Sequence, residues 1–162
     1  METSEVPTTR PKRRIRPFDI LAVIIFAVVC TVLIATLTHQ LAIRSEAAAA
    51  RRVTGRVIGD IAAANGADAR SLGDDSFKHD HSVMELNAVF EATRQHTHGK
   101  AVVVKQTLTN DASGQAAAII YRYDGKPTFY IRVTVSHPKN SDSWQLIGIS
   151  GNASKTPLLK ND

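Results

Sequence analysis

Cysteine, tryptophan and catalytic motifs are scarce in this sequence of 162 residues. The single cysteine, Cys30, lies inside an apolar run, so the rest of the chain must fold without disulfides. The sequence contains no phosphate-binding glycine loop, nucleophile elbow or zinc-protease motif. Its length allows one small domain with appendages and excludes two full domains.

Outside one short run near the N terminus, positive charge is not concentrated in the sequence. The net charge is nevertheless +5, and the calculated pI is about 9.6. Residues 1–43 carry five Lys and Arg against three Asp and Glu, and residues 44–162 carry fifteen against twelve. Nucleic-acid binding needs a basic face that neutralises many phosphates. The one dense basic run, at positions 10–16, directly precedes the apolar segment. It therefore indicates membrane topology, and we expect no nucleic-acid partner.

A long uncharged segment lies near the N terminus. The nineteen residues from Ile20 to Thr38 carry no charge, and twelve of them are Leu, Ile, Val or Phe. These twelve favour the bilayer by about 4 to 7 kcal/mol on the insertion scale. Extended to Ile43, the run forms roughly 36 Å of helix, enough to cross a hydrocarbon core of about 30 Å. We predict a transmembrane helix over residues 17–43 that contacts the lipid bilayer through residues 20–43.

The distribution of basic residues sets the expected orientation of this span. Five of them lie within the ten positions before Ile20, whereas those after the span, from Arg44 to Arg56, are more widely spaced. The bias predicts a single-pass protein of the cell membrane with its N terminus in the cytoplasm. The expected parts are a basic cytoplasmic tail at 1–16, the span at 17–43, an extracytoplasmic domain at 44–151 and a flexible tail at 152–162.

Three kinds of N-terminal processing are alternatives to a retained anchor. A cleaved signal peptide has a shorter apolar core, although Ala47 to Ala50 offers a cleavage site. A lipoprotein signal needs a small residue before its cysteine, and Val29 stands there. The start of a type IV pilin helix is similar to Phe18 to Leu21, but Pro17 occupies the position of its glycine. A retained anchor fits the sequence best.

Helical periodicity continues after the span. Apolar residues repeat every three or four positions from Ala47 to Ala64, and Asn65-Gly66 predicts a left-handed stop. Residues 67–81 predict a short helix plus a loop. A second helix begins with the capping-box pattern of Ser82 and Glu85 and is predicted to end at Gly99. Its apolar face comprises Leu86, Val89, Phe90 and Thr93.

Beyond this helix the apolar period changes to two, which predicts β-strands. Four are expected, at Val102 to Leu108, Ile119 to Tyr123, Phe129 to Val135, and Trp144 to Leu146. The loops between them are short and polar, namely Asn110 to Gly114, Asp124-Gly125 and His137 to Asp142. Consecutive strands should therefore pair antiparallel, with Trp144 in the core and helices over one face. We predict an α+β fold with a transmembrane helix that continues into a juxtamembrane helix, then a second helix packed on a four-stranded antiparallel meander.

This order of elements resembles NTF2-like and cystatin-like α+β domains, over about Ala47 to Gly151. The resemblance rests on the element order, on the turn Asp124-Gly125-Lys126 before Val133-Thr134-Val135, and on the last strand from Trp144 to Ile149. Bacterial members with one N-terminal span resemble VirB8-type assembly components of secretion or conjugation machinery, or remain uncharacterised. The resemblance implies an extracytoplasmic domain in a bacterial membrane protein.

Two histidine pairs are candidates for chemistry. His79-Asp80-His81 and His96-Thr97-His98 flank the second helix, with Asp74 and Asp75 near the first pair. Paired histidines of this kind are typical zinc or copper ligands. The helix from Ser82 to Gln95 is about 20 Å long and separates the two pairs. We therefore predict solvated loop histidines, without a metal site or a cofactor.

The predicted strands carry tyrosines and arginines but no carboxylate or histidine. NTF2-like enzymes resemble one another in placing Asp with His in the pocket under the sheet, and the strands supply no such pair. We therefore expect no catalytic residues. The strand tyrosines and arginines are Tyr121, Arg122, Tyr123, Tyr130 and Arg132. We expect the tyrosines to pack in the sheet with a hydrated hydroxyl, and a ligand platform is the alternative.

These observations predict a non-catalytic interaction or assembly module displayed outside the cytoplasm. Protein partners or a homo-oligomer are expected, with edge strands and the juxtamembrane helix as contact surfaces. One alternative is a sensor that binds a small molecule or a metal between sheet and helices. The other is a hydrolase or isomerase that uses Asp80 and His81.

Overall fold

The computed structural model describes residues 17–153 of the chain. The predicted basic tail at 1–16 and positions 154–162 of the predicted flexible tail lie outside these residues. The chain divides into two compact units, residues 1–42 and residues 43–162. In the described part, helices precede strands, and the strands form one antiparallel sheet, so the predicted α+β class is confirmed.

The described part of the first unit belongs to helix α1 (Pro17–Ala63). Its large apolar side chains are exposed, with Phe26 at 71% and Leu41 at 63%. The hydroxyl of Thr31 donates to Ala27 O at 2.8 Å, so this polar group is satisfied within the helix itself. The helix is long and apolar enough to cross a bilayer, with a mean hydropathy of 2.1 over an 18-residue window. It is a candidate membrane anchor.

In the second unit, α1 ends at Ala63, two residues before Asn65, the first residue of the predicted stop. Ala64, with φ of +52°, is the left-handed residue. Asn65 instead caps the next helix, its side-chain oxygen accepting from Asp68 N at 3.3 Å. A Cβ on Gly66 would lie 2.7 Å from Leu86 Cβ, so this glycine allows two helices to approach closely. The predicted stop is therefore wrong in position because both residues serve the following helix.

Two short helices replace the single one predicted within 67–81. They are α2 (Gly66–Ser71) and α3 (Asp75–Asp80). Asp74 Oδ1 accepts from Phe77 N at 2.7 Å and caps α3. The guanidinium of Arg70 donates to Lys78 O at 2.7 Å and to His81 O at 2.8 Å. It satisfies carbonyls at the C-terminal end of α3 and so joins two helices that are too short to be stable alone.

Helix α4 (Val83–Arg94) begins at the predicted cap. Ser82 Oγ accepts from Glu85 N at 3.2 Å. The helix ends before Gly99, because a tighter turn follows in which His96 N donates to Thr93 O at 2.9 Å. Gly99, with φ of +90°, lies beyond that turn.

Four strands form the predicted antiparallel sheet in the order β1-β2-β3-β4. Their bounds are β1 (Val102–Asn110), β2 (Gly114–Tyr123), β3 (Phe129–Pro138) and β4 (Gln145–Asn152). Strand β3 extends into the predicted loop at 137–142, and Trp144 immediately precedes β4. Asn152, predicted to begin the flexible tail, pairs with Tyr130 as the last residue of β4.

One face of the sheet contributes to a single apolar core. Ile119 on β2 lies opposite Val133 on β3, and both are fully buried. The same core includes residues of all four helices. The helix residues in it are Ala50, Val57, Ile61, Ala69, Phe77, Leu86 and Phe90. The strand side includes Tyr121, Tyr123, Ile131, Val135 and Leu146, together with Trp144.

A buried pair of hydroxyl groups links α1 to β2. Thr54 Oγ1 and Tyr121 Oη are 2.7 Å apart, and the Thr54 side chain is fully buried. Thr54 Oγ1 also lies 3.3 Å from Arg51 O, to which it can donate. Thr54 therefore keeps a partner when Tyr121 is changed, whereas no second hydrogen bond of the Tyr121 hydroxyl occurs within residues 17–153.

This asymmetry predicts unequal effects of two substitutions. Thr54→Val should lower the free energy of unfolding by about 1 to 3 kcal/mol, because it leaves the buried hydroxyl of Tyr121 without a hydrogen-bond partner. Tyr121→Phe should cost about 0.5 to 1.5 kcal/mol, and the double variant should cost less than Thr54→Val alone. Urea unfolding in detergent, followed by the fluorescence of the single tryptophan, measures all three. Thr107→Val, on the other sheet face, is the control and should change stability by under about 0.5 kcal/mol. A double variant as unstable as the sum of its parts would contradict the pairing.

Candidate functional site

An apolar cavity of about 200 Å³ lies between α4 and the last two strands. On the helix side it is lined by Leu86, Val89 and Phe90, and on the strand side by Ile131 and Ile149. Leu86 and Phe90 are buried, but Val89 is 52% exposed. The cavity is therefore open to solvent beside Val89, on the part of the predicted apolar face that the sheet leaves uncovered.

Few polar groups line this cavity. They are the side chains of His81, Glu85, Thr93 and Ser150. The arrangement is typical of a pocket for an apolar group with one or two hydrogen bonds at its rim. Asp80, the proposed partner of His81 in the enzyme alternative, is not among the lining residues. The lining thus offers an apolar binding surface that includes His81, one of the two residues named in the enzyme alternative.

The two predicted histidine pairs occupy different surroundings. The ring of His81 packs at 4.7 Å from that of Phe77, near α3. The ring of His96 stacks at 5.4 Å on Phe129 at the start of β3. Within residues 17–153, no group of three or more His, Cys, Asp or Glu is placed to hold a metal ion. Asp74, near the first pair in sequence, is engaged as the cap of α3.

The tyrosines do not share one surface. Tyr121 and Tyr123 are buried in the core, whereas Tyr130 lies on the opposite face of the sheet, as alternation along β3 requires. Burial raises the pKa of the Tyr121 hydroxyl, and its bond to Thr54 opposes this effect. Burial also raises the pKa of Tyr123, with the neighbouring Tyr121 adding to it. These two tyrosines are packing residues, so a continuous tyrosine platform does not form.

A polar cluster that sequence reasoning missed surrounds Trp144. The indole Nε1 donates to Glu46 Oε2 at 3.2 Å, over a separation of 98 residues. The ring of His137 stacks on the indole at 5.4 Å, and its Nδ1 lies 3.7 Å from the same carboxylate oxygen. A buried tryptophan predicts an acceptor for its N–H. Nothing in the sequence spacing identifies Glu46 as that acceptor.

The two edges of the sheet differ. At β4, Leu146 N donates to Leu72 O at 2.7 Å, and Asp74 N donates to Leu146 O at 3.0 Å. The pairing of β4 is also irregular beside Ile147. At the other edge, β1 pairs only with β2 among the described strands, and its register is regular from Lys105 to Asn110. Strand β1 therefore presents the more accessible edge.

The chain matches no protein-family model, and no curated protein or solved structure is similar to it.

The buried tyrosines predict a loss of stability at alkaline pH. Their raised pKa values mean that stability is intact below pH about 10 and falls as the unfolded chain ionises above it. For each buried tyrosine the slope reaches at most about 1.4 kcal/mol per pH unit. Tyr123→Phe should reduce this loss. Urea titrations at pH 8 to 11 measure the slopes, and a slope that Tyr123→Phe leaves unchanged would contradict the placement of Tyr123.

Proposed function

We propose that this chain is a non-catalytic interaction or assembly module, anchored in the cell membrane by the N-terminal part of α1 and displayed outside the cytoplasm. The single observation that carries the interaction role is the edge of β1 from Gln106 to Asn110, where the strand pairs regularly with β2 and with no other described strand. The bulge of β1, between Val103 and Lys105, lies nearer the start of the strand. The apolar helix supports the anchor, and the basic run before it supports a cytoplasmic N terminus. The order of helices and strands supports membership of the NTF2-like or cystatin-like class.

An open strand edge favours addition of another strand. Its backbone N–H and C=O groups form a template, and proteins usually block such edges with proline, bulges or charged side chains. Strand β1 has no proline, and from Gln106 to Asn110 it has neither a bulge nor a charged residue. Val102 and Val103, at its start, are exposed apolar residues. An extended segment of a protein partner would satisfy the edge and cover these valines.

Contacts on the inner side hold β1 in place for this role. The side chain of Gln106 donates to Ala47 O at 3.2 Å and accepts a bond from the guanidinium of Arg51. Both partners belong to α1, so the edge strand is fixed to the helix as well as to β2. A fixed edge loses little conformational freedom when a partner strand is added.

Site-specific photocrosslinking in cells tests the edge. A photoreactive residue at Thr109, an exposed position of β1, should give crosslinked products larger than the chain mass of 17.6 kDa. Thr107→Lys in the same chain should lower their yield, because a charge on an edge strand opposes strand addition. A product of twice the chain mass would identify a second copy as the partner.

Ser150 on β4 provides the matched control, since it is also an exposed hydroxyl residue on an edge strand. Its yield of larger products should be several-fold lower than that at Thr109. Equal yields from both strands, or a yield at Thr109 that Thr107→Lys leaves unchanged, would contradict the proposal.

A further inference from the structure

The sequence of the edge strand β1 is nearly palindromic. The segment from Gln106 to Asn110 is Gln-Thr-Leu-Thr-Asn, so a threonine stands on each side of Leu108 and an amide residue at each end. One position further out on either side, Lys105 and Asp111 carry opposite charges. An antiparallel strand with the same sequence would therefore present matching residues to this edge.

The backbone groups of every second residue in this segment point away from β2. Asp111 N donates to Gly114 O at 2.9 Å, so the backbone of Asp111 is directed toward β2. This direction alternates along an antiparallel strand, and the register of β1 is regular over residues 105–110. The even-numbered residues therefore direct their N–H and C=O groups outward. They are Gln106, Leu108 and Asn110.

A two-fold axis through Leu108 would pair two copies of this segment without a mismatch. Each Leu108 would exchange two backbone hydrogen bonds with Leu108 of the other copy, and each Gln106 would exchange two with Asn110. Every outward backbone group from Gln106 to Asn110 would then have a partner. The side chains of Thr107 and Thr109 would face each other in the closer, non-hydrogen-bonded kind of pair.

Charge favours this position of the axis. With the axis at Leu108, Lys105 of each copy lies opposite Asp111 of the other, and opposite charges across two antiparallel strands attract. An axis at Thr107 would instead place Lys105 opposite Thr109 and Asp111 beside the bulge. The length of the segment agrees, because Leu108 is midway between Lys105, where the regular register begins, and Asp111, which bonds to Gly114 across the turn.

We propose that the partner added at the β1 edge is a second copy of this chain, paired antiparallel about Leu108, so that the two four-stranded sheets form one continuous sheet. This inference rests on the proposed interaction role and names the partner of that site. In this register, residues that lie opposite each other, such as Thr107 and Thr109, are on the same face of the sheet. The apolar core faces of both copies are therefore on one side of the joined sheet.

Disulfide trapping between full-length chains tests this register. In a Cys30→Ser background, a chain with Thr107→Cys and an affinity-tagged chain with Thr109→Cys are expressed together and oxidised in their membranes. Cβ atoms are about 5 Å apart in a directly opposite pair and about 7 Å apart in a diagonal pair. Because a disulfide needs Cβ atoms about 4 Å apart, the mixed pair should oxidise about tenfold faster than either chain with itself.

Ser150→Cys is the matched control, because Ser150 is an exposed hydroxyl residue on the other edge strand. It should form a disulfide with neither β1 variant. Equal rates for the mixed and the single variants, or no disulfide between the β1 positions, would overturn the proposal. If photocrosslinking at Thr109 gives products that Thr107→Lys removes, but none of twice the chain mass, the edge binds another protein. In that case the second copy is wrong as the partner, and the interaction role stands.

The mass of the particle gives a decision without cysteines. Light scattering of the full chain in detergent should give a protein mass twice that of the chain, which is 17.6 kDa. Thr107→Lys should reduce it to the mass of one chain, because a charge on the edge opposes strand pairing, whereas Ser150→Lys should leave it unchanged. A single-chain mass for the original sequence, or a doubled mass that Thr107→Lys does not reduce, would contradict pairing through β1.

Discussion

The apolar face of the four-stranded sheet is the constraint on which the second unit depends. Ile119, Val133 and Val135 are completely buried, and a face of this kind requires a second layer. The described chain supplies that layer from Val57 and Ile61 of α1 and from Phe90 of α4. The position of the cavity follows from this division, because α4 turns only part of its apolar face toward the sheet. Because α1 lies on the same face of the sheet, Thr54 meets Tyr121 of β2, and Ala47 accepts a hydrogen bond from Gln106 of β1.

The parts of the fold that depend on local patterns could be predicted from the sequence. The period-two alternation predicted the four strands, and the short polar loops predicted their antiparallel order. The Ser82 cap predicted the start of α4. The split between α2 and α3 could not be predicted, because it depends on Arg70 reaching carbonyls of the neighbouring helix. Asn65 was predicted to stop α1 but caps α2, because asparagine is common both at helix stops and at helix N-caps.

The candidate sites were harder to predict than the fold. The sequence identified the apolar residues of α4. It could not predict that Val89 is exposed, because this depends on how far the sheet extends over the helix. The contact of Glu46 with Trp144 joins residues 98 positions apart, and no local spacing encodes it. The histidine pairs were the most conspicuous motif in the sequence. In the structure one histidine of each pair packs on an aromatic ring, His81 on Phe77 of α3 and His96 on Phe129 of β3.

The proposed role rests on an apolar helix, an open strand edge and an apolar cavity, and each of these can be covered by another surface. Its central claim is that the second unit lies outside the cytoplasm on a retained anchor. Labelling of intact cells with a membrane-impermeant thiol reagent tests this most directly, using Cys30→Ser chains that carry either Asn140→Cys in the β3–β4 loop or Thr8→Cys before the span. The account predicts that Asn140→Cys is labelled in intact cells and that Thr8→Cys is labelled only after permeabilisation. The reverse pattern, or protection of both positions, would contradict it.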